Sequence, residues 1–201
     1  MHPLAPLRLG CLLLAILAGF WAGPAHAGEP PSLPPLNEKD LFPYKSKGHG
    51  SLAGQAFLGS PSGKAITQAG VPIHLIPITP YTKAWFERSL RTATCGAKPD
   101  APADGATGSR PPIDCARESL GQLLTDKRLV SSLRTTRANP TGHFWFTKLP
   151  AGRYYLVSLI EGGTGSHQEE RAVGVAWLVI ELDAGEKATN LVLTDCKNGL
   201  C

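Results

Sequence analysis

The sequence lacks the spacings on which most catalytic and metal chemistry depends. It holds no G-x-S-x-G elbow, no H-E-x-x-H pair, no phosphate-cradling glycine loop and no dinucleotide fingerprint. It also has no C-x-x-C pair, and His49, His74, His143 and His167 are scattered, so the usual ligand spacing of a zinc site is missing. Charge is sparse, with 20 Lys/Arg against 16 Asp/Glu. The basic residues form neither a block nor a helix face, which removes the electrostatic footprint of a nucleic-acid binder. Past Trp21 no apolar run approaches the roughly 20 residues that a helix needs to cross a membrane.

What is present begins with a leader. Arg8 precedes the apolar run Cys11 to Trp21, Gly23-Pro24 breaks it, and Ala25-His26-Ala27 forms an A-x-A site. That order predicts a secretory signal peptide over residues 1–27, cut after Ala27, and hence a periplasmic or secreted product. The remaining chain of about 170 residues suffices for one domain with a true core. It keeps four cysteines, Cys95, Cys115, Cys196 and Cys201. An even count in an oxidising compartment predicts two disulfides. Of the three possible pairings, closeness in sequence favours Cys95 with Cys115 and Cys196 with Cys201, each closing a loop of turn-forming residues.

Residues 28–50 are dense in proline and poor in apolar periodicity, and read as a tether, with ordered structure from Ser51. SLAGQAFL predicts a first strand and VPIHLIPI a second, the latter confined by Pro72 and Pro77 to an edge or to its ends. Thr79-Pro80 then opens a short helix in which Tyr81/Trp85 and Phe86/Leu90 recur at helical spacing. Ala116 to Val130 predicts a second. LRTTRA and HFWF, joined by Asn139-Pro140-Thr141-Gly142, predict a hairpin. RYYLVSLI, apolar on both rows, predicts a central strand, followed by AVGVAWLVIEL and ATNLVL. About seven strands with turns at short intervals is the pattern of an antiparallel sandwich.

The run TTRANPTGHFWFTKLPAGRYYLVSL resembles the carboxypeptidase regulatory-like domains, which share the transthyretin-like (prealbumin-like) β-sandwich. Thr136, Gly142, Phe144, Phe146, Leu149, Pro150, Gly152 and Tyr154 occupy that family's positions: a threonine-bearing strand, a glycine turn, an aromatic-x-aromatic strand and a Leu-Pro-x-Gly-x-Tyr opening of the next. The resemblance implies a transthyretin-like (Ig-like) β-sandwich; joined to the reading of the residues it gives a mainly β, antiparallel, seven-stranded sandwich over 51–195, with a helical, disulfide-stapled insertion at about 79–130 and a disulfide tail over 196–201 that both fall outside the resemblance. It also implies an accessory module and no enzyme, because the pattern specifies a fold and not a reaction.

The expectation is therefore a non-catalytic binding or structural module of the cell envelope, without cofactor or metal, contacting a protein or carbohydrate partner. The competing expectation is a hydrolase or metal-dependent enzyme whose site is formed by the insertion. The candidate contact residues are Trp85, His143 and Trp145. A tryptophan on the outer face of a strand serves as a stacking platform unless something covers it, and cover by the inserted helix is the favoured alternative.

Overall fold

Strict alternation of inward and outward side chains along Gly50–Gly59 makes this segment the spine of one sheet, with Leu52, Ala56 and Leu58 fully buried on one side. The structure is a computed structural model and describes residues 32–59, 65–91, 112–162 and 172–195. Eight strands follow in chain order: β1 Gly50–Gly59, β2 Ala65–Thr67, β3 Pro72–Pro77, β4 Arg134–Arg137, β5 His143–Leu149, β6 Gly152–Gly162, β7 Ala172–Leu182 and β8 Lys187–Thr194. They form two four-stranded sheets. One holds β2, β1 and β5 with β8 on the other side of β1; the other has the order β4-β3-β6-β7. Between them lies a core built around Leu52, Ile73, Leu75, Phe144, Phe146, Leu156 and Leu182.

Three expectations need correction. Among the described residues there are eight strands and not seven, because β2 is a three-residue edge paired with Phe57 to Gly59, too short to carry a period. β4 and β5 do not form a hairpin: β4 pairs with β3 and β5 pairs with β1, in opposite sheets. The intervening turn carries the chain across the sandwich. Asn139 Oδ1 accepts from the N–H groups of Thr141 and His143, and Gly142 takes φ +78°, so the turn is fixed locally while each strand finds a longer partner elsewhere. Finally, β8 runs parallel to β1, and every other pairing is antiparallel.

The prolines of β3 stand at its two ends while the strand itself is interior, flanked by β4 and β6. β6 is interior as well, paired with β3 and, over its full length, with β7. At the corner into β6 the Tyr154 hydroxyl donates to the Pro150 carbonyl at 2.7 Å. Burial pushes that phenol above its ordinary range, with the neighbouring Tyr44 adding to the rise.

The outer face of the β4-β3-β6-β7 sheet is covered by helices. α2, Pro80–Phe86, is capped reciprocally: Thr79 Oγ1 accepts from the Thr82 N–H at 3.2 Å, and the Thr82 hydroxyl accepts from the Thr79 N–H at 2.9 Å while donating to the Pro77 carbonyl at 2.6 Å. A π-helical turn, Glu87–Arg91, continues it. α3 spans Pro112–Thr125, starting and ending before the predicted limits. Trp85, Phe86, Leu90, Leu120, Leu123 and Leu129 are buried against Ile76, Tyr155 and Val157, giving the protein a second core. Phe86 stacks on Tyr155 with centroids 4.1 Å apart and meets Trp177 edge-on at 5.0 Å.

Ordered packing also starts before Ser51. A 3₁₀ turn, Glu38–Leu41, leads into α1, Phe42–Lys45. Leu41 is fully buried in the second core, and Tyr44 meets Tyr154 edge-on at 5.2 Å. Leu33 and Leu36 pack partly against the same core. The part of the expected tether that the structure describes is thus a strap laid on the fold. Its apolar residues, Leu33, Leu36, Leu41, Phe42 and Tyr44, follow neither a helical nor a strand spacing, which hides them from any test of periodicity.

Candidate functional site

The outward residues of β1, β5 and β8 define a groove of about 440 Å³. Register explains its shape. Trp145 stands opposite Ala53, and His143 opposite Gln55, across the β1–β5 pair. On the other side Gln55 is level with Val192. The small Ala53 side chain leaves a depression between the large Trp145 and the Thr189 to Val192 wall. Trp145 and Val192 are each 56 % exposed, so the groove carries two of the large apolar side chains that the fold leaves in water.

The wall formed by β8 is irregular. Leu52 pairs with Ala188 and Gly54 with Leu191, so β8 carries one residue more than β1 between these pairs. Asn190 sits in this bulge at φ +61°, a left-handed conformation that asparagine tolerates better than most residues. Gly54 permits the close approach, since a Cβ there would lie 2.4 Å from the Leu191 carbonyl oxygen.

Hydrogen bonds fix the polar edge. The Asn139 Oδ1 atom already accepts from two backbone N–H groups and also lies 2.8 Å from the Thr141 hydroxyl. That hydroxyl must donate to it, and so accepts from His143 Nδ1–H at 2.9 Å. The neutral His143 ring therefore presents Nε2 as an acceptor. In the same way Gln55 Nε2 donates to the Thr141 carbonyl at 2.7 Å, which leaves Oε1 turned out as an acceptor. Among the described residues no Asp, Glu, Lys or Arg lines the groove.

The structure brings together two of the three predicted contact residues, His143 and Trp145, on the exposed face of β5. Among the described residues nothing of the insertion covers Trp145, which is exposed, and the described helices lie on the opposite sheet. Trp85 is 5 % exposed within the helical core and offers no surface to a ligand. Of the cysteines, Cys115 alone is described, buried near the start of α3. Cys95, Cys196 and Cys201 lie outside the described residues, as do His167 and the leader.

A second cavity, about 630 Å³, opens between α3 and the ends of β3 and β6, lined by Val71, Pro72, His74, Leu120, Gly121 and Leu124 among others. It exists partly because Gly121 projects no side chain, and a Cβ there would meet nothing within 4 Å. His74 Nδ1 lies 3.0 Å from Thr135 Oγ1. Burial, helped by the nearby Arg137 charge, lowers its pKa to about 4. Alternation along β3 puts His74 on the face opposite Ile73 and Leu75. That this face is covered follows only from where the helices dock. Among the described residues no group of three or more His, Cys, Asp or Glu is placed to hold a metal ion, and no helix is long and apolar enough to cross a membrane.

Over the described residues the chain is a two-sheet β-sandwich whose helices cover one sheet, with a largely apolar groove, lined by no charged side chain among the described residues, on the outer face of the other. No protein-family model and no curated protein matches it. Among solved structures it is similar to a candidate carbohydrate-binding protein from Pseudomonas aeruginosa, with 21% identity over 81% of this chain and 99% of that one and a TM-score of 0.57. It is more distantly similar to a minor pilin of Streptococcus agalactiae, at 14% identity over 76% of this chain and 47% of that one, with a TM-score of 0.34. The first likeness shows a shared fold.

Proposed function

We propose that this chain is an exported, non-catalytic binding module of the cell envelope, a carboxypeptidase regulatory-like domain of transthyretin-like type, holding a protein or carbohydrate partner on the outer face of β1, β5 and β8. The observation that carries this reading is the half-exposed Trp145 above a groove without charged side chains. General acid–base or metal chemistry needs clustered titratable groups, and this groove offers none beyond His143. The solved relative with the shared fold is itself a candidate carbohydrate binder, which supports the same reading.

The test takes the purified full chain through elemental analysis and labelling with a fluorophosphonate nucleophile probe. The expected result is no stoichiometric metal and no labelled side chain. One equivalent of bound metal, or a label within residues 79–130, would instead establish the enzyme reading.

The proposed fold includes a disulfide staple. It joins Cys115 to Cys95 and Cys196 to Cys201, the pairs closest in sequence. Mass mapping of non-reduced peptides is expected to return these two pairs. A peptide linking Cys115 to Cys196 or Cys201 would refute the assignment.

A further inference from the structure

We infer that the groove on β1, β5 and β8 is a site for a neutral pyranoside chain, an inference that rests on the non-catalytic reading above and names its ligand class. Three features of the groove converge on this chemistry. An exposed indole beside an apolar wall suits a flat ligand whose faces are C–H groups, and Trp145 with Val192 supplies both. The polar atoms with fixed orientation, His143 Nε2 and Gln55 Oε1, are acceptors, which match the hydroxyl donors ringing a sugar. The absence of charged side chains in the lining leaves no counter-charge for a uronate, a sulfate or an amine.

Size argues against a folded protein as the occupant of this groove. A specific protein interface buries about 800 Å² on each partner around a desolvated apolar centre. Here the exposed apolar surface amounts to Trp145 and Val192, and exposed residues such as Lys187 and Thr147 lie along the same strands. A volume of about 440 Å³ instead falls in the range of small-molecule sites, roughly 300–1,000 Å³. The bulge at Asn190 fits the same purpose, because an extra residue in an otherwise regular strand turns a side chain toward the groove rim.

The test is an NMR titration of the full chain, following the indole N–H of Trp145, with cellohexaose, mannohexaose and chitohexaose as neutral probes and oligogalacturonate as the anionic one. At least one neutral hexasaccharide is expected to shift the resonance saturably, and oligogalacturonate is not. Trp145→Ala, followed through the backbone amides of Asn190 and Val192, should weaken that binding at least about tenfold, as loss of a central aromatic contact does. Ala53→Leu, which fills the floor while keeping the indole, should weaken it comparably, and serves if Trp145→Ala fails to fold.

Three silent neutral probes, equal binding of oligogalacturonate, or unchanged affinity in both folded variants would each overturn the inference. A silent panel with metal-free, unlabelled protein leaves the non-catalytic reading standing. Bound metal or a labelled nucleophile overturns that reading whichever way the panel falls.

Discussion

Phe86→Ala is expected to destabilise the protein by about 3–5 kcal/mol, the range for deleting a buried aromatic ring. The ring is 1 % exposed and stands between the helices and the sheet, stacked on Tyr155 and edge-on to Trp177. Its removal leaves a cavity that the rigid sheet cannot close, since Tyr155 is held in β6 between β3 and β7. Denaturant unfolding gives the magnitude, and the fluorescence of Trp177 should change in the folded state. A loss below about 1 kcal/mol would show that the helical layer is only loosely laid on the sheet.

His74 should give the protein an acid-sensitive component of stability. In the unfolded chain its imidazole titrates near the ordinary 6.5, whereas in the folded protein burial and Arg137 hold the pKa at about 4. Between these values the unfolded state binds more protons, so stability falls as pH falls. The contribution is fully present above pH 6.5 and is lost progressively down to about pH 4, a change of roughly 3 kcal/mol. Burial sets the shift first and the Arg137 charge on β4 adds to it, while Thr135 on β4 hydrogen-bonds the ring and Arg117 of α3 lines the same cavity. His74→Gln removes the titration and keeps a polar group. The unfolding free energy of the wild-type chain should drop more steeply than that of the variant between pH 7 and pH 4. Equal slopes would show that His74 is solvated in the folded state.

Much of the sheet structure was legible because a strand with one buried face writes its period into adjacent residues. Alternation marks β1 and β5 and places His143 and Trp145 outward, whereas β6 shows itself by apolar residues on both rows. Strand partners were not legible in the same way. LRTTRA and HFWF are separated by a turn suited to a hairpin, and only the longer pairings with β3 and β1 decide that they part into different sheets. The parallel run of β8 beside β1 is likewise a matter of which edge remains open.

The groove illustrates the same divide. Its tryptophan was visible in the sequence, but its opposite wall comes from a bulge at Asn190, 45 residues further on, that no local pattern announces. Whether Trp145 would be covered depended on which sheet the insertion packs against. The insertion leaves from the end of β3 and returns to β4, both in the second sheet, and its apolar residues cover that sheet's outer face. Leu41 escapes notice for a simpler reason: in the short polar run before Pro43 it belongs to no repeating apolar spacing, yet it is fully buried.

The central claim is that recognition occurs on the uncovered sheet and not at the cavity under α3. A backbone amide shift map of the full chain, recorded with saturating neutral hexasaccharide, tests it most directly. The perturbed amides should cluster at Ala53, Gln55, His143, Trp145, Asn190 and Val192. Perturbation centred on Val71, His74, Leu120 and Leu124, with the β5 face silent, would contradict the claim.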